Sequence, residues 1–135
     1  MHEPGRHTLK GKKVMASLTV NNLDQSLKFF TGLGFEVEDR WEHEGVMLGA
    51  MLKAGDVGLG LSQDDGKKGK DRVKGAGVRL YIEVGDDIDA AAARAKAAGI
   101  ILASEPKDTD WGSRAFDVTD PTGFMLTISS PPKQQ

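Results

Sequence analysis

Arg79, Tyr81 and Glu83 alternate with Leu80, Ile82 and Val84. On a strand this places the three polar side chains on one face, with Arg79 and Glu83 about 13 Å apart. An arginine facing a cavity must find a partner, because an unpaired buried charge is costly. Two partners are open: a carboxylate, phosphate or carbonyl oxygen of a ligand, or a structural contact with Glu83 or a backbone carbonyl. Glu83 or Tyr81 would be the acid–base group of an enzyme, provided burial raised the Glu83 pKa toward neutrality. One carboxylate alone does not make a catalytic site. His43 stands between Glu42 and Glu44 and reads as an exposed turn residue, and His2 and His7 fall in a polar tail. The chain has no cysteine, which excludes a disulfide framework, thiolate catalysis and cysteine zinc sites.

These residues need elements to hold them. Val14, Ala16, Leu18 and Val20 alternate with Met15, Ser17 and Thr19, which predicts a strand over 14–20. Asn21 and Asn22 offer a helix cap, and Leu23, Ser26, Leu27 and Phe30 repeat at helical spacing until Gly32 and Gly34 stop the helix. Strands are then predicted over 35–41, 46–52 and 57–62. After Gln63 the pattern restarts: a strand over 78–84, a cap at Asp86 and Asp87, a helix over 88–98 ended by Gly99, and strands over 100–104, 115–118 and 124–129. Gly34 and Gly99 lie 65 residues apart (99 − 34), as do Ala50 and Ala115 (115 − 50) and Gly58 and Gly123 (123 − 58). The chain therefore reads as an internal duplication of a strand–helix–three-strand unit. A curved sheet of this kind leaves its concave face uncovered, so the two copies are expected to cup a pocket between them.

Strand alternation assigns Met15, Ser17, Thr19, Gly58, Gly60, Ser62, Arg79, Tyr81, Glu83, Met125 and Thr127 to that pocket, with Trp41 and Met47 from the first hairpin. Trp111 is expected at the mouth, either stacking on a ligand or anchoring its loop, and Trp41 either fills core or contacts the ligand. The expected organisation is a polar tail (1–13), a first unit (14–62), a polar linker (63–77), a second unit (78–130) and a short C-terminal tail (131–135). The 63–74 stretch mixes Asp, Gly and Lys without aromatics, and reads as a solvated linker rather than a phosphate or nucleic-acid patch.

The 135 residues fit one domain, and 39% hydrophobic with 28% charged content is ordinary for a globular protein. A net charge of −2 gives no field to recruit nucleic acid or anionic membrane. The N-terminal stretch lacks the apolar region of a secretory signal, and no apolar run approaches the roughly 20 residues of a membrane helix. The expectation is a cytoplasmic protein.

Three stretches together carry a resemblance: Ser17–Phe30 leading to Leu33-Gly-Phe35, Val84–Ile88 leading to Ala97-Ala-Gly99, and Trp111–Gly123 with its Asp120-Pro121-Thr122-Gly123 turn. In this combination the chain resembles the vicinal oxygen chelate superfamily, which groups glyoxalase I, bleomycin-resistance proteins, fosfomycin-resistance enzymes and extradiol dioxygenases. The resemblance implies an α+β fold of paired βαβββ units forming a curved eight-stranded mixed sheet. In metal-dependent members a divalent ion sits in the cup, with ligands from the first and last strand of each unit. Those positions fall here on Met15, Arg79, Thr127 and Gly60 (or Ser62). Arginine would repel a dication, a thioether suits soft metals and glycine has no side chain, so no metal and no other cofactor is expected. The resemblance is closest in character to the bleomycin-resistance group, which implies a small-molecule binder that sequesters aromatic or cationic drugs or toxins, acting as a homodimer whose subunits jointly form the groove. Two alternatives stand beside it: a metal-dependent or metal-free lyase, isomerase or dioxygenase, and a regulatory module that has kept the fold without chemistry.

Overall fold

The computed structural model describes residues 7–133, and within them the strand–helix–three-strand order occurs twice. The first unit comprises β1 (Ala16–Val20), α1 (Leu23–Leu33), β2 (Glu36–His43), β3 (Val46–Ala54) and β4 (Val57–Gln63). The second comprises β5 (Arg79–Glu83), α2 (Ile88–Ala97), β6 (Ser104–Asp108), β7 (Arg114–Thr119) and β8 (Met125–Ser129). The fold is the α+β arrangement of paired βαβββ units. Its eight strands divide into two four-stranded mixed sheets, ordered β1-β4-β3-β2 and β5-β8-β7-β6. In each, the first and last strands of the unit run parallel and the other pairs run antiparallel.

Both helices start on side-chain caps: Asn22 Oδ1 accepts from the Gln25 amide at 3.0 Å, and Asp87 Oδ1 from the Ala90 amide at 2.9 Å. Gly34 ends α1 at φ +125°, a conformation open to glycine and strained for other residues. Gly32, expected to stop the helix, instead lies inside it. A Cβ there would come within 3.0 Å of the Ala98 Cβ, so this glycine permits α1 to approach the end of α2.

Two further expectations are corrected. The strand expected over 100–104 begins at Ser104 and runs to Asp108, through Pro106. Proline is tolerated because β6 is an edge strand whose pairing with β7 skips from Ser104 to Lys107. Upstream, Ile100 and Leu102 pack against the core as loop residues. The 65-residue spacing also fails at the last strand. Two residues join β3 to β4 but five join β7 to β8, so Gly123 lies in a turn at φ +118° whereas Gly58 lies within β4. The expected match of Gly60 with Thr127 holds in its first register and not at Ser62, since Gly60 faces Ser17 as Thr127 faces Tyr81.

The longer turn joins the two units. The Asp120 carboxylate, 3% exposed, accepts the amides of Thr122, Gly123 and Phe124 at 3.0, 2.9 and 2.8 Å through Oδ1. Its Oδ2 accepts from Ser26 Oγ on α1 at 3.3 Å, and Thr122 Oγ1 accepts from the Asn21 amide at 3.1 Å. On the second unit's rim, Arg114 grips Asp89 of α2 through two bonds of 2.8 and 2.9 Å and reaches Asp108 at 3.0 Å. This holds the Asp89 carboxyl below its ordinary pKa.

A single apolar core runs through both units. It collects Leu18, Val20, Leu59 and Leu61 beneath α1 with Ile82, Phe116, Val118 and Ile128 beneath α2. The helices contact each other, and the cavities shared by the units are lined from this helix side, by Phe29, Ile100 and Pro121 in one case and by Phe35, Ile82 and Phe116 in another. The concave faces therefore point away from each other. The cup expected between the two copies is not closed within one chain, because the large apolar side chains lie on the helix faces and drive those together.

Candidate functional site

The second unit's concave face carries a polar cluster. Arg79 of β5 and Asp117 of β7 flank Thr127 of β8, all three pointing to the same side because neighbouring strands hold them in register. Thr127 Oγ1 donates to Asp117 Oδ1 at 2.6 Å, and Arg79 Nη1 donates to Thr127 Oγ1 at 3.0 Å and lies 3.4 Å from Asp117 Oδ1. Arg79 Nη2 reaches Met125 Sδ at 3.6 Å. The arginine partner is thus a cross-strand aspartate and not Glu83, which sits too far along the same strand.

Above this cluster lies a cavity of about 230 Å³, walled by Tyr81, Lys107, Trp111 and Ala115 as well as the three clustered residues. Tyr81 and Trp111 are 67% and 58% exposed, far more than aromatic side chains with only a packing role require. Lys107, on the edge strand β6, adds a second cation. The guanidinium has five donors, and the bonds to Thr127, Asp117 and Met125 leave capacity for an oxyanion.

The first unit's concave face has the opposite character. The Trp41 indole lies over Gly49, where a Cβ would sit 2.1 Å from Trp41 Cζ2 and 2.7 Å from the Leu61 carbonyl oxygen. The Met15 methyl lies over Gly58 in the same way, at 2.8 Å from a built Cβ, and Met51 Sδ lies beside Gly60. Met51 faces Gly60 as Asp117 faces Thr127. One position in the unit is therefore a methionine–glycine surface in the first copy and an arginine–aspartate–threonine cluster in the second.

The residues expected to share one site divide between these faces. Arg79, Tyr81, Trp111 and Thr127 line the second-unit cavity, and Met125 adjoins it through Arg79. Glu83 is exposed at the far end of β5. Met15, Ser17, Trp41 and Gly60 lie on the first face, 41% of Trp41 being exposed, while Met47 packs against the core. His43 is an exposed hairpin residue 3.7 Å from Glu44, and His2 lies outside the described residues. Among the described residues, no three His, Cys, Asp or Glu side chains come together as a metal site. The sequence patterns do not single out Asp117, Lys107 or Gly49. Asp117 was within reach, since Ala115, Asp117 and Thr119 alternate with Phe116 and Val118.

The family model of the glyoxalase/bleomycin resistance protein/dioxygenase superfamily matches residues 6–128. The chain belongs to this superfamily. No curated protein sequence matches it. Among solved structures it is similar to TioX from Micromonospora sp. ML1, at 20% identity and TM-score 0.69 over 92% of this chain and 99% of that one. UcmS2 aligns at 18% identity and TM-score 0.70 over 90% and 98% of the two chains. A glyoxalase/bleomycin resistance protein/dioxygenase from Nocardioides aligns at 21% and 0.67 over 95% and 89%. At such identities the likeness is one of fold, and the superfamily's chemistry varies with the site rather than the fold. No helix among the described residues is long and apolar enough to cross a membrane.

Proposed function

We propose that this superfamily member is a metal-free cytoplasmic binding protein for small planar molecules that carry an anionic or carbonyl oxygen, acting in drug or toxin sequestration. The carrying observation is the Arg79 guanidinium, set by Asp117 and Thr127 beneath exposed Tyr81 and Trp111. The aromatic rings offer flat contact area at low entropic cost, and Arg79 with Lys107 supplies the charge that orients the ligand's oxygen. The donor set does not suit a divalent ion. Its one carboxylate, Asp117, is already engaged, and the position that would neighbour the ion bears a permanent positive charge.

The working form is a homodimer. Met15, Trp41, Tyr81 and Trp111 are 44%, 41%, 67% and 58% exposed in a single chain, which favours covering both concave faces with a second copy. Opposing the methionine–tryptophan face of one copy to the Arg79 face of the other makes a cup with an apolar wall and a charged wall. A thermal-shift screen of dialysed protein against planar aromatic carboxylates, aromatic phosphates and bleomycin-like drugs tests the reading, since a ligand of the folded state raises its melting temperature. The expected hit is unaffected by chelator and lost in Arg79→Ala. Stoichiometric Mn, Fe, Ni or Zn surviving dialysis, or hits indifferent to Arg79→Ala, would overturn it.

A further inference from the structure

The segment between the units is built rather than slack. Lys74 Nζ lies 3.0 Å from Asp64 Oδ2, with the two side chains only 3% and 9% exposed. Lys74 Nζ also donates to Asn21 Oδ1 and to the Arg72 carbonyl. The Asp64 amide bonds the Val20 carbonyl at 2.9 Å, continuing the β1–β4 pairing, and Gln63 Nε2 bonds the Asn21 carbonyl at 2.8 Å. A lysine buried to this degree is costly unless its partner is fixed, so both ends of the 64–74 loop are pinned to the end of β1.

Pinning the ends sorts the loop's charges. In sequence the acids and bases interleave, as Asp64-Asp-Gly-Lys-Lys-Gly-Lys-Asp-Arg72. In space they are redistributed only in part: Asp64 and Asp65 line two neighbouring cavities at once, and Lys70 stays with Asp71. Lys67, Lys68 and Arg72 border a cavity of about 330 Å³ whose floor includes Thr19 and Ser62, paired residues on the first unit's concave face. Lys70 and Asp71 border a different cavity, Asp71 being turned there by its left-handed φ of +54°. Asp64, though it lines the first cavity, is neutralised by Lys74. Asp65 is the remaining acid, and its Oδ1 is occupied by the Lys67 amide at 2.9 Å. The lining thus sets three cations against Asp65 and the Lys74-paired Asp64, over two hydroxyl-bearing floor residues.

We propose that this cavity is a second binding site, taking the phosphate of a small phosphorylated molecule. The cation cluster matches a multiply charged oxyanion, and the Thr19 and Ser62 hydroxyls offer neutral donors to it. A single chain forms the cavity from its own loop and sheet, so the assignment does not depend on the role of Arg79. The test is an amide NMR titration of the full-length protein with inorganic phosphate and with phenyl phosphate at low salt. Shifts are expected to concentrate at Thr19, Ser62 and residues 64–72, and to fade as salt screens the charges. The triple variant Lys67→Ala/Lys68→Ala/Arg72→Ala should weaken binding about tenfold or more, with its circular dichroism unchanged. Lys70→Ala, in the other cavity, should leave binding within about twofold, as expected of a charge outside the contact. No localised shift, equal weakening by Lys70→Ala, or an adventitious ion only, displaced by chloride as readily as by sulfate, would each overturn the assignment. So would tighter binding of a short single-stranded oligonucleotide than of phenyl phosphate.

Discussion

Replacing Asp120 by alanine should damage the fold more than any other single polar change in the chain. The side chain is 3% exposed, and one of its oxygens holds three consecutive amides at 2.8–3.0 Å. Its other oxygen holds Ser26 Oγ on α1, across the junction of the units. A hydrogen bond to a charged acceptor is worth about 1.5–3 kcal/mol, and stranded buried donors add a desolvation cost. The bonds share one carboxylate and are not additive, so the expected loss is about 3–5 kcal/mol, a large share of the roughly 5–15 kcal/mol that a domain has in total. Asp120→Asn keeps an oxygen acceptor and should cost about half as much, while Ser26→Ala should cost about 1 kcal/mol. Urea unfolding at constant slope measures all three. If Asp120→Ala falls within about 1 kcal/mol of the parent, the five-residue turn holds itself and the carboxylate is not its keystone.

Three further outcomes are expected. Gly49→Ala places a methyl against both the Trp41 ring and the Leu61 carbonyl, so it should cost about 2 kcal/mol and expel the indole, read as a red-shifted Trp41 emission in a Trp111→Phe background. Arg79→Ala should weaken any anionic ligand found in the screen about ten- to a hundredfold, the value of a charge-assisted bond, whereas Glu83→Gln should leave it nearly unchanged; calorimetry separates the two. The hydrogen bond from Lys74 holds the Asp64 carboxyl below its ordinary pKa of 3.8. That contribution is complete above this value and is lost as pH falls through the depressed folded-state pKa, so acid unfolding of Asp64→Asn should be less steep there than that of the parent.

Alternation and capping made the elements legible because they are local. Asn22, Asp87 and Gly34 do at their helix ends what their side-chain chemistry dictates, and period two correctly gathers Arg79, Tyr81 and Thr127 on one face. What escaped depends on distant parts of the chain. Pro106 argues against a strand until β6 is known to be an edge. The failure of the Gly58–Gly123 match emerges only with the longer turn in the second unit. Asp117 gains meaning only from cross-strand register, and Lys67, Lys68 and Arg72 outweigh the acids of their cavity only because buried Lys74 pairs with Asp64. The outward turn of the concave faces is the largest departure. It follows from helix-to-helix packing between units, about which the pattern within each unit is silent.

That outward turn makes the proposed dimer open to a decisive experiment. If each cup combines the Trp41 face of one copy with the Arg79 face of another, Trp41→Ala damages both cups of a homodimer from one side. Arg79→Ala damages both from the other. Mixing the two variants and allowing subunits to exchange gives a heterodimer in which one cup carries both lesions and the other carries neither. Ligand binding at parental affinity should then return in the mixture, at one site per heterodimer, although neither variant alone shows it. Random exchange places half of the chains in heterodimers, so the recovered capacity should approach about a quarter of the parental site count. Were the cup instead completed within a chain, every site would keep its own lesion and mixing would restore nothing. A protein that stays monomeric at the concentrations of the assay would refute the shared cup directly, and would leave Arg79, Tyr81 and Trp111 to hold a ligand on an open face.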